Sequence, residues 1–221
     1  MRKSVGSWLL ASIGVLFSVP CFAGSESDQA ADSSLNIHIR VFNFARVPIE
    51  TWHSAQAVAS AIFERTGIET VWTNCTLSLE GQYLSQDCAL PPKPADIILR
   101  LVPTSKATRA HFGNAMGISA LAEKGTPASA SVFYDRAEDL TKGGSAPVAV
   151  ILGHVTAHEI GHLLLGSNSD TSLGLMCGRW NRQSLALASD GQLNFQPREI
   201  VSLQSEVRGR TVALSSAAPR K

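Results

Sequence analysis

The sequence predicts an α+β domain in which a mixed, twisted sheet of four to five strands is backed by two helices. Four short stretches, either alternating or continuously apolar and bounded by turn residues, are typical of strands. In two longer stretches, apolar residues recur at helical spacing. The order β-α-β-β-β-α, followed by an irregular region and a last helix, favours helices layered on a sheet over a coiled coil or a repeat array.

The first half of this order is a strand, a helix and a strand. Residues 35–45 alternate apolar and polar side chains and end before a proline. A helix is predicted over residues 50–66, with Gly67 as its C-cap. Residues 68–73 alternate again and form the second predicted strand.

The second half follows a proline-rich connector. Residues 96–102 predict a third strand that is apolar on both faces, and residues 129–135 predict a fourth. The segment between them, residues 106–125, is expected to be a loop. A strongly apolar helix is predicted over residues 147–165, since a proline opens it and a glycine follows it.

Turns and a last helix over residues 197–207 complete the predicted domain. We expect one domain over residues 35–212, with an upper lobe over 35–166 and a small irregular lower lobe over 167–212. The final residues, 213–221, are expected to be a frayed tail.

The composition is that of one ordinary folded domain. The chain has 221 residues, of which 44% are apolar and 17% charged. Since a domain typically has about 150 residues, this length favours a single domain. Its formal net charge is +1 and no basic stretch follows the first three residues, so no nucleic-acid partner is expected. The sequence carries no signal for a particular oligomeric state.

Residues 1–23 have the pattern of a secretory signal peptide. Arg2 and Lys3 precede an apolar run, and Ala23 is a small residue suited to cleavage. The run is shorter than the about 20 apolar residues that span a bilayer. A lipid anchor on Cys21 is the alternative.

A secreted or periplasmic protein is therefore expected, with a disordered leader over residues 24–34 and no membrane anchor after cleavage. Cys75 and Cys88 bracket a polar segment, which predicts a disulfide in an oxidising compartment. Two buried free thiols are the alternative. Cys177 is left without a predicted partner.

The apolar helix carries the sequence His158-Glu159-Ile160-Gly161-His162. Histidines four positions apart lie on one face of a helix, so both imidazoles can reach one zinc ion. Glu159 lies about 100° around the helix, where its carboxylate can act as general base. The alternative is that both histidines are ordinary helix residues, but burying them unpaired in so apolar a helix would be costly.

Residues 154–176 resemble the metzincin superfamily of zinc metallopeptidases, in an exported bacterial form. Its members have the zinc helix, a glycine turn, a third ligand and a methionine-bearing turn beneath the metal. Gly166 lies one place later than the family's glycine and Asp170 two places later than its third ligand, whereas Met176 fits the methionine turn. The resemblance implies a zincin-like fold and one catalytic zinc ion, held by the two histidines and Asp170.

The third ligand has rivals in the sequence. Glu199 on the last helix is the main one, because another branch of zincins takes a downstream helical glutamate. Asn168 stands at the family's own ligand position but offers only a neutral amide oxygen. Cys177 could offer a thiolate.

The resemblance also implies a substrate and an activity. Residues 129–135 would be the sheet edge on which an extended peptide pairs, and residues 116–121 would form the rim of the same groove. We therefore predict an exported zinc endopeptidase that acts on peptides or proteins. The alternative is a non-catalytic zincin-fold binding module with a degenerate or structural metal site.

Overall fold

The fold is described from a computed structural model. The described residues are 34–75, 85–122, 126–144, 146–166 and 169–217, with side chains described as far as residue 211. The predicted signal peptide, the leader up to residue 33 and Asn168 lie outside these residues. From Ser34 onward the chain forms one compact unit.

The sheet has five strands in the order β2-β1-β3-β5-β4. All neighbours are parallel except β4, which runs antiparallel to β5. The fold class is therefore a mixed sheet with helices, as predicted. The strands are β1 (Leu35–Asn43), β2 (Ile68–Asn74), β3 (Ile97–Val102), β4 (Gly117–Ala120) and β5 (Ala128–Phe133).

The predicted sheet edge was wrong. Residues 129–135 were expected at the edge, but β5 lies between β3 and β4, and its Ala128, Ala130 and Val132 are buried. The edge is β4, inside the segment expected to be a loop. Four residues give too short an alternation to mark a strand, and β4 is defined by its pairing with β5.

Seven helices accompany the sheet in the described part of the chain. The predicted helices appear as α1, α5 and α7, and α7 continues to Ala217, past residue 207 and into the expected tail. Four shorter helices were not predicted. The helices are α1 (Ile49–Glu64), α2 (Gln86–Ala89), α3 (Lys106–Phe112), α4 (Tyr134–Thr141), α5 (Val148–Leu165), α6 (Arg182–Ser189) and α7 (Pro197–Ala217).

Helix α5 is the central helix of the core. It packs against α1, and a Cβ atom on Gly153 would come within 2.5 Å of the Ala55 carbonyl oxygen, so glycine permits this close approach. Within the described residues, α5 is long and apolar enough to span a membrane, but 67% of it is buried inside the fold. Its continuous apolar surface is explained by burial on most sides.

A disulfide and a buried ion pair hold the connector between β2 and β3. Cys75 and Cys88 are disulfide-bonded, as predicted. The Arg40 guanidinium on β1 donates to Asp96 at 2.9 Å and to the carbonyl oxygens of Asp87 and Leu90 at 2.9 and 2.7 Å. These contacts fix the segment against the face of the sheet opposite the α1–α5 core.

Candidate metal centre

Three predicted metal-ligating side chains come together at the carboxyl-terminal end of α5. The Nε2 atoms of His158 and His162 are 3.0 Å apart. Asp170 Oδ1 lies 3.8 Å from His158 Nε2 and 3.4 Å from His162 Nε2. One donor atom from each residue falls within 4.8 Å of the others, which is the spacing a single cation needs.

Hydrogen bonds on the far sides of the rings determine which nitrogens are free. His158 Nδ1 donates to the Leu175 carbonyl oxygen at 2.9 Å. His162 Nδ1 donates to Ser169 Oγ at 2.9 Å, since that hydroxyl gives its own proton to the Gly166 carbonyl oxygen at 2.7 Å. Both Nε2 atoms therefore carry lone pairs that face each other, an arrangement that a shared cation stabilises.

Burial lowers the pKa of both His158 and His162, despite the opposing influence of nearby Asp170. At neutral pH the rings are therefore neutral, which is the form that ligates zinc. Two imidazoles and one carboxylate leave a fourth tetrahedral position open, as catalytic zinc sites do. The donor set of this site thus fits zinc.

Met176 lies directly against the helix that carries the histidines. It is fully buried, and its Sδ atom lies 2.6 Å from where a Cβ atom on Gly161 would stand. Only glycine at position 161 permits this approach. The preceding Leu175 carbonyl is the acceptor for His158, so the turn that places Met176 also orients a histidine.

Glu159 lies beside the three ligating side chains and is 4% exposed. Burial raises its pKa to about 7, an effect that Asp170 increases and a hydrogen bond from Ser119 opposes. The Ser119 hydroxyl lies 2.7 Å from Glu159 Oε2 and 2.9 Å from the Glu159 carbonyl oxygen. A carboxylate with a pKa near neutrality can both accept and release a proton.

The edge strand β4 lies against Glu159. A Cβ atom on Gly117 would come within 2.5 Å of Glu159 Cδ, so this position requires glycine. The Phe133 amide donates to the Met116 carbonyl oxygen at 2.9 Å, so residues 116 and 133 form a hydrogen-bonded pair. In the antiparallel β4–β5 ladder every second pair is hydrogen-bonded, and the pairs that contain Gly117 and Ser119 are not. The backbone groups of Gly117 and Ser119 therefore point away from β5, toward the open edge.

Neither Gly117 nor Ser119 stands out in the sequence as a site residue. Their roles depend on β4 lying against α5, a contact between residues about 40 positions apart. The pattern Gly-x-Ser by itself carries no local signal for it.

The same residues line a cavity of about 910 Å³. His158, Glu159, His162 and Asp170 form part of its wall, together with β4 and the turn around Cys177. The Trp180 ring meets His158 edge-on, with centroids 6.2 Å apart. The cavity is large enough to take several residues of an extended peptide.

The rival ligands lie in different surroundings. Glu199 accepts hydrogen bonds from the Gln196 amide at 2.7 Å and from Thr171 Oγ1 at 3.3 Å. Cys177 is partly buried, lines the cavity and directs its thiol to the Arg179 carbonyl oxygen at 3.2 Å. Asp170 is the carboxylate that lies with the two histidines.

Comparison with known proteins gives likenesses among solved structures alone. No protein-family model matches the sequence, and no curated protein matches it. Among solved structures, the fold is similar to archaemetzincin from Methanopyrus kandleri, with a TM-score of 0.47 and 15% sequence identity, over 80% of this chain and 99% of that chain. At this level of similarity, the chemistry of the site has to be argued from its own side chains.

Proposed function

We propose that this protein is an exported zinc-dependent endopeptidase, with His158, His162 and Asp170 as zinc ligands and Glu159 as general base. The observation that carries the proposal is that the Nε2 atoms of His158 and His162 lie 3.0 Å apart, faced by the Asp170 carboxylate and flanked by the buried Glu159. Export is supported by the Cys75–Cys88 disulfide.

Each group has a separate task in peptide hydrolysis. Zinc at this site would act as a Lewis acid toward a carbonyl group and lower the pKa of water. Glu159 accepts the proton of the attacking water and passes it to the leaving amine. The hydroxyl of Ser119 holds the Glu159 carboxylate in position, and Met176 supports the floor beneath the ligands.

The substrate proposed for this site is a peptide or protein segment in extended conformation. Gly117 and Ser119 direct backbone donors and acceptors to the open edge of β4, where an extended chain can pair by β-augmentation. Such a chain would lie along the cavity wall that contains Glu159.

Zinc content and turnover of the mature protein test this proposal. We expect one zinc per chain after dialysis, cleavage of an unstructured protein, and loss of zinc in Asp170→Ala. Glu159→Gln should keep zinc and lose about 10²–10⁴-fold in kcat.

Three other results would contradict parts of the proposal. If Asp170→Ala retains zinc, the third zinc ligand is Glu199 or Cys177 in place of Asp170. Zinc without any turnover would favour the non-catalytic binding module. No stoichiometric zinc in the wild type would exclude the zinc enzyme.

A further inference from the structure

Apart from the residues of the proposed zinc site, the cavity is lined by more positively than negatively charged side chains. Three arginines and three carboxylates line the cavity among the described residues. Two of the carboxylates, Glu159 and Asp170, belong to the proposed zinc site. Asp139 alone is left to face the arginines, and its carboxylate is already paired with Lys142 at 2.5 Å.

The three arginines differ in how their charges are neutralised. Arg109 pairs with Asp135 at 2.8 Å, and its side chain is half exposed. Arg179 is exposed. Arg136 is buried, with 6% of its surface exposed, and neither of its terminal nitrogens has a hydrogen-bond partner among the described residues.

Arg136 keeps its charge without a carboxylate bound to it. Its guanidinium lies over the Phe133 ring, 4.5 Å from the centroid. Burial and the charge of Arg109 lower its pKa, and the charge of Asp135 opposes them. A cation–π contact compensates only part of what it costs to bury an ion that has no hydrogen-bonded partner. A guanidinium is suited to a carboxylate, which it can bind through two parallel hydrogen bonds.

We propose that Arg136 forms a carboxylate-binding subsite in the cavity, and that the protein therefore prefers peptide substrates that place a carboxylate there. This inference rests on the proposed peptidase function. The carboxylate comes either from an acidic side chain of the substrate or from its carboxyl terminus.

Both terminal nitrogens of Arg136 are covered in this structure, so a carboxylate reaches them only when neighbouring side chains of the cavity wall move. Leu140 lies one turn further along α4, on the same face, and also lines the cavity. Met116 lines the cavity and is only partly buried, and its unbranched side chain adapts readily to a ligand. Because water is excluded from the guanidinium, an amide in place of the carboxylate should be strongly disfavoured.

Matched peptides test the subsite. One series carries Glu or Gln at each position in turn around the cleaved bond, and another carries a free or an amidated carboxyl terminus. We expect kcat/KM of the zinc-loaded wild type to be about tenfold or more higher for the carboxylate member of one series. The series that shows the preference identifies the source of the carboxylate.

Arg136→Met separates recognition from a structural role. We expect it to remove the carboxylate preference by lowering kcat/KM about tenfold more for the carboxylate peptide than for its neutral match, and to keep or raise Tm, since an unpaired buried charge is removed. Arg100→Met removes a positive charge from β3, on the opposite face of the sheet, and should leave the preference unchanged.

A wild type without carboxylate preference would overturn the inference, and so would a preference that survives in Arg136→Met. Equal losses on all peptides with a lowered Tm would make Arg136 a packing residue. If the wild type cleaves no peptide, the proposed function fails by itself. In that case the subsite is tested by binding. Fluorescently labelled forms of the same matched peptides are titrated onto the zinc-loaded Glu159→Gln variant, with and without Arg136→Met, and their dissociation constants are compared.

Discussion

The hydroxyl of Ser119 lies 2.7 Å from Glu159 Oε2, and joins the edge strand of the sheet to the buried glutamate of α5. The same hydroxyl lies 2.9 Å from the Glu159 carbonyl oxygen. The strand that we propose to pair with an extended peptide thus also contacts the proposed general base. In the proposed mechanism, one residue, Ser119, therefore links the binding of substrate to the positioning of the Glu159 carboxylate.

Removing this hydroxyl should slow the reaction without emptying the metal site. A hydrogen bond to a charged group contributes about 1.5 kcal/mol or more, so Ser119→Ala should lower kcat about tenfold or more. KM and zinc content should change little. Ser119→Thr keeps the hydroxyl and should restore most of kcat, whereas equal activity of the alanine and wild-type proteins would contradict this role. Steady-state kinetics measures kcat and KM of each variant, and metal analysis measures its zinc content.

Adding one methyl group at position 117 should disturb the same carboxylate. The Cβ atom of Gly117→Ala would lie 2.5 Å from Glu159 Cδ and Oε1, so the buried carboxylate must move. We expect at least a tenfold loss of kcat with zinc retained. Gly143→Ala is the control, because no atom lies within 4 Å of the added Cβ there. A kcat equal to that of the wild type in Gly117→Ala would show that the edge strand moves and the Glu159 carboxylate stays in place.

The stability should depend on Asp135 at acidic pH. Burial opposes ionisation of Asp135, but two hydrogen bonds from Thr104, at 2.6 and 2.9 Å, and the charge of Arg109 outweigh it and lower its pKa. The unfolded chain therefore takes up this proton at a higher pH than the folded protein. The resulting stability is complete above the unfolded pKa of about 4 and is lost as pH falls through the lower folded pKa.

Urea unfolding of Asp135→Asn from pH 7 to pH 2.5 measures this contribution. We expect the difference in unfolding free energy from the wild type to be constant above about pH 5 and to shrink below pH 4. Asp190→Asn serves as control, since Asp190 is exposed and no ion pair to it is found in the described part of the chain. A difference that stays constant down to pH 2.5 would exclude the linkage.

Breaking the disulfide should destabilise the fold measurably. The Cys75–Cys88 bond closes a short loop, for which the chain-entropy model gives about 3 kcal/mol. A Cys75→Ala/Cys88→Ala double variant should therefore unfold at lower urea, and a reductant should shift the wild type but not this variant. Cys177→Ser, which keeps a donor to the Arg179 carbonyl, should stay close to the wild type. If the urea midpoint of the double variant equals that of the wild type, the disulfide does not stabilise the fold. The Arg40–Asp96 ion pair would then be what holds this connector in place.

The sequence by itself determined the elements whose signal is local. Alternating residues predicted β1 and β2, a continuous apolar run predicted β3, and helical periodicity predicted α1 and α5, each to within about two residues. The spacing of His158 and His162 placed both imidazoles on one helix face, because four residues make about one turn. The pairing of Cys75 with Cys88 also followed from a short, polar intervening segment.

Tertiary structure decided what depends on contacts between distant residues. Strand β4 is defined by its partner β5 rather than by its four residues, and so the sequence assigned the sheet edge to the wrong strand. The contact of Ser119 with Glu159, the closeness of Asp170 to the histidines and the unpaired charge of Arg136 depend on how separate elements pack. Local spacing fixes the face on which a side chain lies, whereas its partners are set only when burial brings distant segments together.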